Sequence, residues 1–261
     1  MHITRIQLEN FRNYASLDLE PAPGMNVITG QNAQGKTNLL EAVHVCCLGK
    51  SQRGARDVEM IRRAGDKQAA MAGIDIHVGR KDGPRHIQVQ MEKNRKRIRV
   101  SGVPIRRMAE LMGHINCVMF SPEDVNLIKG SPGLRRRFLD TSLCQLRPAY
   151  YTALLCYNDA LGQRNALLRT RYDAAMMDVF EQAMAKHGSD VISHRAQFVQ
   201  AMGGIVGDIH GRLAKDERIA LSYKSAAQDG DATYDRLCDL LAASREEDAR
   251  RGATAHGPHR D

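Results

Sequence analysis

Apolar and polar residues alternate at the start of the chain. Thr4, Ile6 and Leu8 interleave Arg5, Gln7 and Glu9, and Leu17 and Leu19 interleave Ser16, Asp18 and Glu20. That period of two predicts two strands, each with one buried face. Pro21, Pro23 and Gly24 break the pattern, and the short apolar run at 25–29 predicts a buried strand feeding a loop. Residues 38–48 then carry Leu39, Leu40, Ala42, Val43, Val45, Cys46, Cys47 and Leu48, which predicts a helix enclosed in the core. Alternation returns at Ala70 to Val78, at Ile87 to Met91 and at Ile98 to Val100, with Lys93-Asn94-Arg95 as a turn. The run 115–120 predicts one more buried strand. From Leu134 the spacing becomes helical, through Leu139, Leu143, Leu146, Leu154, Leu161, Leu168, Met177, Phe180, Met184, Val191 and Val199. Beyond Asp229 the pattern is lost.

The strand-rich first half and the helical second half predict two lobes, residues 1–130 and 131–250, with 251–261 beginning a return to the first lobe. With 261 residues and 43% apolar content the chain has enough apolar material for a substantial core, which excludes a disordered protein. No apolar run is long enough to cross a membrane and no leader is evident at Met1, so a soluble cytoplasmic protein is expected. The six cysteines, Cys46, Cys47, Cys117, Cys144, Cys156 and Cys238, show no CxxC spacing and read as reduced thiols.

Charge is unevenly placed. The net charge of +8 equals the charge of the window 80–107 alone, where ten cations face only Asp82 and Glu92. If the strand through Lys93, Arg95, Arg97 and Arg99 runs unbroken, these four share one face. They are then either a solvated hairpin or a sequence-independent surface for the phosphates of DNA. No aromatic residue lies among them, so base stacking there is not expected.

The chemistry concentrates at Gly30-Gln31-Asn32-Ala33-Gln34-Gly35-Lys36-Thr37, which fits GxxxxGK[ST] between the predicted strand and helix. Such a loop turns its N–H groups and a helix N-terminus toward phosphate oxygens. Lys36 adds a charge for the outer phosphates of ATP, and Thr37 offers a hydroxyl to Mg2+.

This box and the blocks around it resemble the RecF family, in the SMC-like branch of ABC ATPases. The resemblance rests on Leu8 to Tyr14, Val27 to Ala42, Gly49-Lys50-Ser51-Gln52-Arg53, Phe120-Ser121-Pro122-Glu123-Asp124, Lys129-Gly130-Ser131-Pro132, Arg135 to Asp140 and Gly257-Pro258-His259-Arg260-Asp261. It implies an α/β P-loop ABC-type ATPase head with a β-rich section, joined to a helical lobe. It also implies an ATP-dependent homodimer that binds single-stranded and duplex DNA, loads recombinase at gaps, supports the SOS response and works with RecO and RecR. Arg12 and Asn13 would then lie against the nucleotide phosphates, Asn32 would be a phosphate-loop ligand, and Glu123 would stand near the place of the family's Q-loop. As a plain sequence, Ser121-Pro122 reads as the cap and first turn of a helix, and Ser131-Pro132 likewise. Arg135, Arg136 and Arg137 span about 200° of a helix, so they cannot all face one ligand. The family's signature motif and Walker B strand follow the Gly-Pro-His-Arg-Asp block, so a shortened relative without ATP hydrolysis is expected. The rival readings are an ABC-type head that binds nucleotide but not DNA, and a fragment without function.

Overall fold

The structure, a computed structural model, describes residues 1–65, 67–170, 173–214 and 217–261. The chain forms two compact units, Met1–Ser121 and Pro122–Asp261.

The first unit is built on strands β1 (His2–Phe11) and β2 (Tyr14–Leu19), helices α1 (Lys36–Leu48) and α2 (Asp57–Met60), the short strands β3 (Arg63–Ala64) and β4 (Lys67–Gln68), and then β5 (Met71–Gly79), β6 (Arg85–Glu92), β7 (Arg95–Val100) and β8 (Val103–Pro104). Six strands make an antiparallel sheet in the order β2-β1-β5-β6-β7-β8. Each long strand alternates burial residue by residue, so the apolar set Ile6, Leu8, Ile74, Ile76, Val78, Ile87, Val89, Met91 and Ile98 is buried on one face. Helix α1 packs against β5 and β6, burying Leu39, Ala42, Val45, Cys46 and Cys47. The other face carries polar residues, as expected of an antiparallel sheet covered on one side.

Two expected strands do not form. Residues 25–29 and 115–120 are in no sheet. Met25 is 91% exposed, Val118 98% and Phe120 84%, while Ile115 is buried. An extended apolar run becomes a strand only when a neighbouring segment pairs with it in a ladder, and among the described residues no ladder includes either run. The bend before the first run is instead held by Asn26, whose side chain accepts from the Ala22 N–H (2.9 Å) and donates to the carbonyls of Ala22 (2.9 Å) and Gly24 (3.2 Å).

The second unit opens with a tight turn at Pro122–Val125 and continues through α3 (Asn126–Lys129), α4 (Pro132–Leu146), α5 (Pro148–Leu168), α6 (Ala174–Leu213), α7 (Thr233–Ala243) and α8 (Arg245–Arg251). Its boundary therefore precedes the expected one at 131, because the Pro122–Val125 turn already belongs to the helical unit. Helix α6 has 40 residues, about 60 Å at the standard rise. It packs on α5 and α7 around Tyr157, Ala160, Met184 and Leu241, and around Ala185, Ile192, Ala227 and Leu237. The fading pattern gives no expectation of α7 and α8, although Thr233, Leu237 and Leu241 at steps of four bury one face of α7.

Polar anchors run through this apolar core. Arg164 is fully buried, and its guanidinium meets Glu181 (3.1 Å), Asp248 (2.8 Å), the Thr254 hydroxyl (2.8 Å) and the Leu241 carbonyl (3.1 Å). Arg195 pairs with Asp140 (2.7 Å) and donates to the Pro258 carbonyl (2.6 Å). Residues 251–261, expected to begin a return to the first lobe, instead pack inside the helical unit. Tyr157 Oη meets His259 Nδ1 at 2.6 Å, Arg136 donates to the Asp261 carbonyl at 2.5 Å, and Tyr223 donates to the Asp261 carboxylate. The irregular tail is thus held by side-chain bonds, which hydrophobic periodicity does not register. Gly257 has φ 128°, and a Cβ there would stand 2.3 Å from Tyr157 Oη, so only glycine fits.

Arg164→Ala would leave Asp248 buried without its cation, while Glu181 keeps Arg245. Removing one partner of a buried ion pair costs about 3–5 kcal/mol. Urea unfolding of the helical unit's transition should show a loss of that size, whereas Arg250→Ala, on an exposed side chain, should leave it unchanged.

Candidate nucleotide site and basic strand

The phosphate loop leads into α1 through three residues with positive φ. Gly30 has φ 147°, Ala33 φ 66°, and Gly35, the N-cap of α1, φ 102°. A Cβ on Gly35 would meet Asn13 Oδ1 at 2.5 Å, so the glycine lets the β1–β2 turn approach the loop. Asn13 Oδ1 also accepts from Asn38 Nδ2 at 2.9 Å, and Tyr14 Oη donates to the Gly35 carbonyl at 3.2 Å. Asn13 is thereby placed beside the N-terminus of α1. The Lys36 ammonium curls over the loop and donates to the carbonyls of Gly30 and Gln31, both at 2.7 Å. Gln31, Asn32, Ala33 and Gln34 are exposed, as is Thr37 in the first turn of the helix.

Arg12, with φ 52°, has a different immediate task. Its Nε and one terminal nitrogen grip Glu41 at 2.8 and 2.7 Å, and the other terminal nitrogen donates to the Glu59 carbonyl at 2.9 Å. A phosphate contact would have to use the second hydrogen of a terminal nitrogen. Glu41 is only 2% exposed, and the Ser51 hydroxyl donates to its Oε1 at 2.5 Å. Burial pushes the Glu41 carboxyl up, yet the Arg12 guanidinium and the Ser51 hydroxyl together hold it below its ordinary value. The Ser51 oxygen in turn accepts from the Arg53 N–H, and Arg53 reaches Asn38 Oδ1 at 3.4 Å. Motif and periodicity do not single out Glu41, Ser51 or Glu59. The available signal was a carboxylate in the middle of an otherwise apolar helix, which demands a buried cation.

Glu123 lies in the exposed turn that opens the second unit. Of the three consecutive arginines, Arg135 donates to the Gly130 carbonyl at 3.2 Å and Arg136 to that of Asp261. Both therefore brace the helical unit.

On β7, Arg95, Arg97 and Arg99 are exposed along one face, and Lys93 is exposed in the preceding turn. Glu92 lies opposite Arg95 in register and accepts from Arg97 at 3.1 Å, which offsets part of this charge. Lys96 points the other way, to the Gly49 carbonyl (2.7 Å) and Asp57 (2.8 Å).

The GxxxxGK[ST] loop opening a helix that packs on an antiparallel sheet, followed in the chain by a helical unit, gives the chain the arrangement of a P-loop head of an ABC-type ATPase, here without a strand feeding the loop. Comparisons with known proteins narrow that class. The AAA domain family matches residues 5–116. The chain is 37% identical over 263 residues to the DNA replication and repair protein RecF of Clostridium perfringens, covering all of this chain and 72% of that protein. It is 38% identical over 272 residues to the protein of that name from Symbiobacterium thermophilum, covering all of this chain and 71% of that one. Two solved structures of the recombination mediator protein RecF in the RecFOR pathway, RecF-ATP and RecF-ATPrS, superpose at TM-scores of 0.91 and 0.92. Each is 29% identical to this chain, and the match covers 99% of this chain and 71% of the solved one. The chain belongs to the RecF family.

The Arg12–Glu41 pair makes stability depend on pH. A carboxylate whose folded pKa lies below its unfolded one stabilises the fold above the unfolded value, near 4.5, and loses that contribution as pH falls through the lowered folded value. The stability gap between the parent and Glu41→Gln, from urea unfolding, should be constant from pH 7 to about pH 5 and shrink below pH 4.5. A gap that persists unchanged in acid would mean the carboxylate charge contributes nothing.

Proposed function

We propose that the chain binds ATP with Mg2+ through residues 30–37 and acts on DNA in the cytoplasm as a RecF-type recombination mediator in replication and repair. The observation that carries the nucleotide reading is the Lys36 ammonium poised over a loop whose N-capping Gly35 is backed by Asn13. The donor set suits a triphosphate. The N–H groups at the start of α1 and the Lys36 charge lie in one short stretch of chain, and the Thr37 hydroxyl in the first helical turn is the right ligand type for Mg2+. Arg12 and Asn13 would border the phosphates, Arg12 chiefly by fixing α1 through Glu41. The two RecF structures that superpose on nearly the whole chain, one of them named for its ATP, favour the same reading. Glu123 as a further nucleotide ligand, dimerisation on ATP, and cooperation with RecO and RecR extend this proposal by family membership.

DNA binding would rest on Lys93, Arg95, Arg97 and Arg99, a strip of point charges and guanidinium forks suited to phosphates and lacking any device for reading bases. The rival within the same class is a head that binds nucleotide and ignores DNA. Salt dependence separates them.

Lys36→Ala removes a charge-assisted contact of about 1.5–3 kcal/mol, so ATP affinity should fall roughly ten- to a hundredfold in a fluorescent-nucleotide titration. Equal affinities would sink the site. For DNA, each phosphate neutralised contributes about −0.9 to the slope of log K against log salt on duplex. Changing the four cations of the strip to Ser should flatten that slope in proportion to the phosphates they neutralise. Coincident slopes for parent and variant would leave the strip as a solvated hairpin.

A further inference from the structure

We propose that the polar face of the sheet in the first unit carries a divalent transition-metal site formed by Asp75, His77 and His86, with Zn2+ as the fitting ion. Asp75 and His77 are two residues apart on β5 and so share a face, and His86 of β6 stands directly opposite His77 in register. The side chains use this placement in a specific way. The imidazoles stack with centroids 4.2 Å apart and planes at 15°. Both turn Nε2 toward the same oxygen, Asp75 Oδ1, His77 at 3.4 Å and His86 in direct contact. The three ligand atoms lie within 4.8 Å of one another.

Two features favour a metal over a mere hydrogen-bonded trio. In a tetrahedral Zn2+ site with bonds of about 2.1 Å, ligand atoms stand roughly 3.4 Å apart, the separation His77 and Asp75 already have; the shorter His86–Asp75 hydrogen bond would open and the stacked rings turn apart for both nitrogens to meet one ion. The carboxylate is also oriented from behind: Gln88 Nε2, on β6 and in register with Asp75, donates to Oδ2 at 2.9 Å and leaves Oδ1 to face the imidazoles. Such outer contacts are what align a metal-binding carboxylate. Two imidazoles and one carboxylate suit Zn2+, Co2+ or Ni2+, whereas Mg2+ and Ca2+ prefer oxygen ligands alone.

The surroundings do not repel a cation strongly. Arg5 of β1 lies opposite His77, but its guanidinium is paired with Asp18 at 2.9 and 2.6 Å. Gln7, opposite Asp75, also donates to Asp18. Arg99 lies opposite Gln88 on β7, one strand further from the cluster. His2 lies over Gly79, which shares the face of Asp75 and His77. With all three ligands half-buried and none of them in the phosphate loop, the site is separate from the nucleotide chemistry and would pin β5 to β6.

The test is a Co2+ titration of the reduced, nucleotide-free protein followed by visible absorption, with Zn2+ as competitor. The expected result is one equivalent bound with ligand-field bands of a nitrogen and oxygen site, displaced by Zn2+. His77→Gln and His86→Gln should each weaken binding at least tenfold, and His194→Gln, in the helical unit, should not. Asp75→Asn, close in shape, is the check against unfolding: it too should weaken binding while the metal-free far-ultraviolet dichroism matches the parent. Absence of bands, bands dominated by thiolate charge transfer, or binding unchanged in the three variants overturns the proposal.

Discussion

A buried charge must find its full set of partners inside the fold, and the first unit is organised around one such demand. Glu41 sits on the enclosed side of α1, so Arg12 has to reach it from the end of β1 and Ser51 from the loop after α1. That three-way grip ties the first strand, the phosphate-loop helix and the α2 region into one piece. The phosphate loop inherits its position from it, because α1 starts at Lys36, five residues before Glu41. Asn13, the next residue but one after Phe11, is carried to Gly35 by the same turn.

The helical unit follows the same rule twice. Arg164 and Arg195 lie inside helix packing that is otherwise apolar, and each satisfies its fork with carboxylates and backbone carbonyls from distant parts of the chain. Buried guanidinium groups have few alternative arrangements in which every donor is met, so they specify which helix faces meet. The blocks that carry the family resemblance in this half, Arg135 to Asp140 and Gly257 to Asp261, supply several partners of these and neighbouring bonds. Packing accounts for their chemistry before any ligand is invoked.

Period-two alternation was enough to read β1, β2, β5, β6 and β7, because an antiparallel sheet covered on one side imposes it directly; of the four cations expected on one face, Arg95, Arg97 and Arg99 share it, and Lys93 falls in the turn because the strand starts only at Arg95. Helical spacing likewise revealed α4, α5 and α6. The runs 25–29 and 115–120 misled for a physical reason: apolar content records a preference for burial, while strand formation depends on a partner that local sequence does not name. Helix α8 escaped because a short charged helix leaves little apolar signal, whereas Leu237 and Leu241 in α7 carried a helical spacing that was not read. At the site, the GxxxxGK[ST] box was fully legible, whereas the commitment of Arg12 to Glu41 was not. Nor was the meeting of Asp75, His77 and His86, which depends on the register between β5 and β6.

The tail's attachment bears on how the helical unit assembles. Arg136 is bonded across 125 residues, Tyr157 across 102 and Arg164 across 90 to the segment 254–261. Helical proteins usually fold fast because their contacts are local, and long loop closures slow them. Here α4, α5 and α6 can pair early, but Arg164 and Arg195 keep unfilled donors in a closing apolar interior until that distant segment docks. Docking of that irregular strip therefore adds long loop closures to a set of helix contacts that is otherwise local.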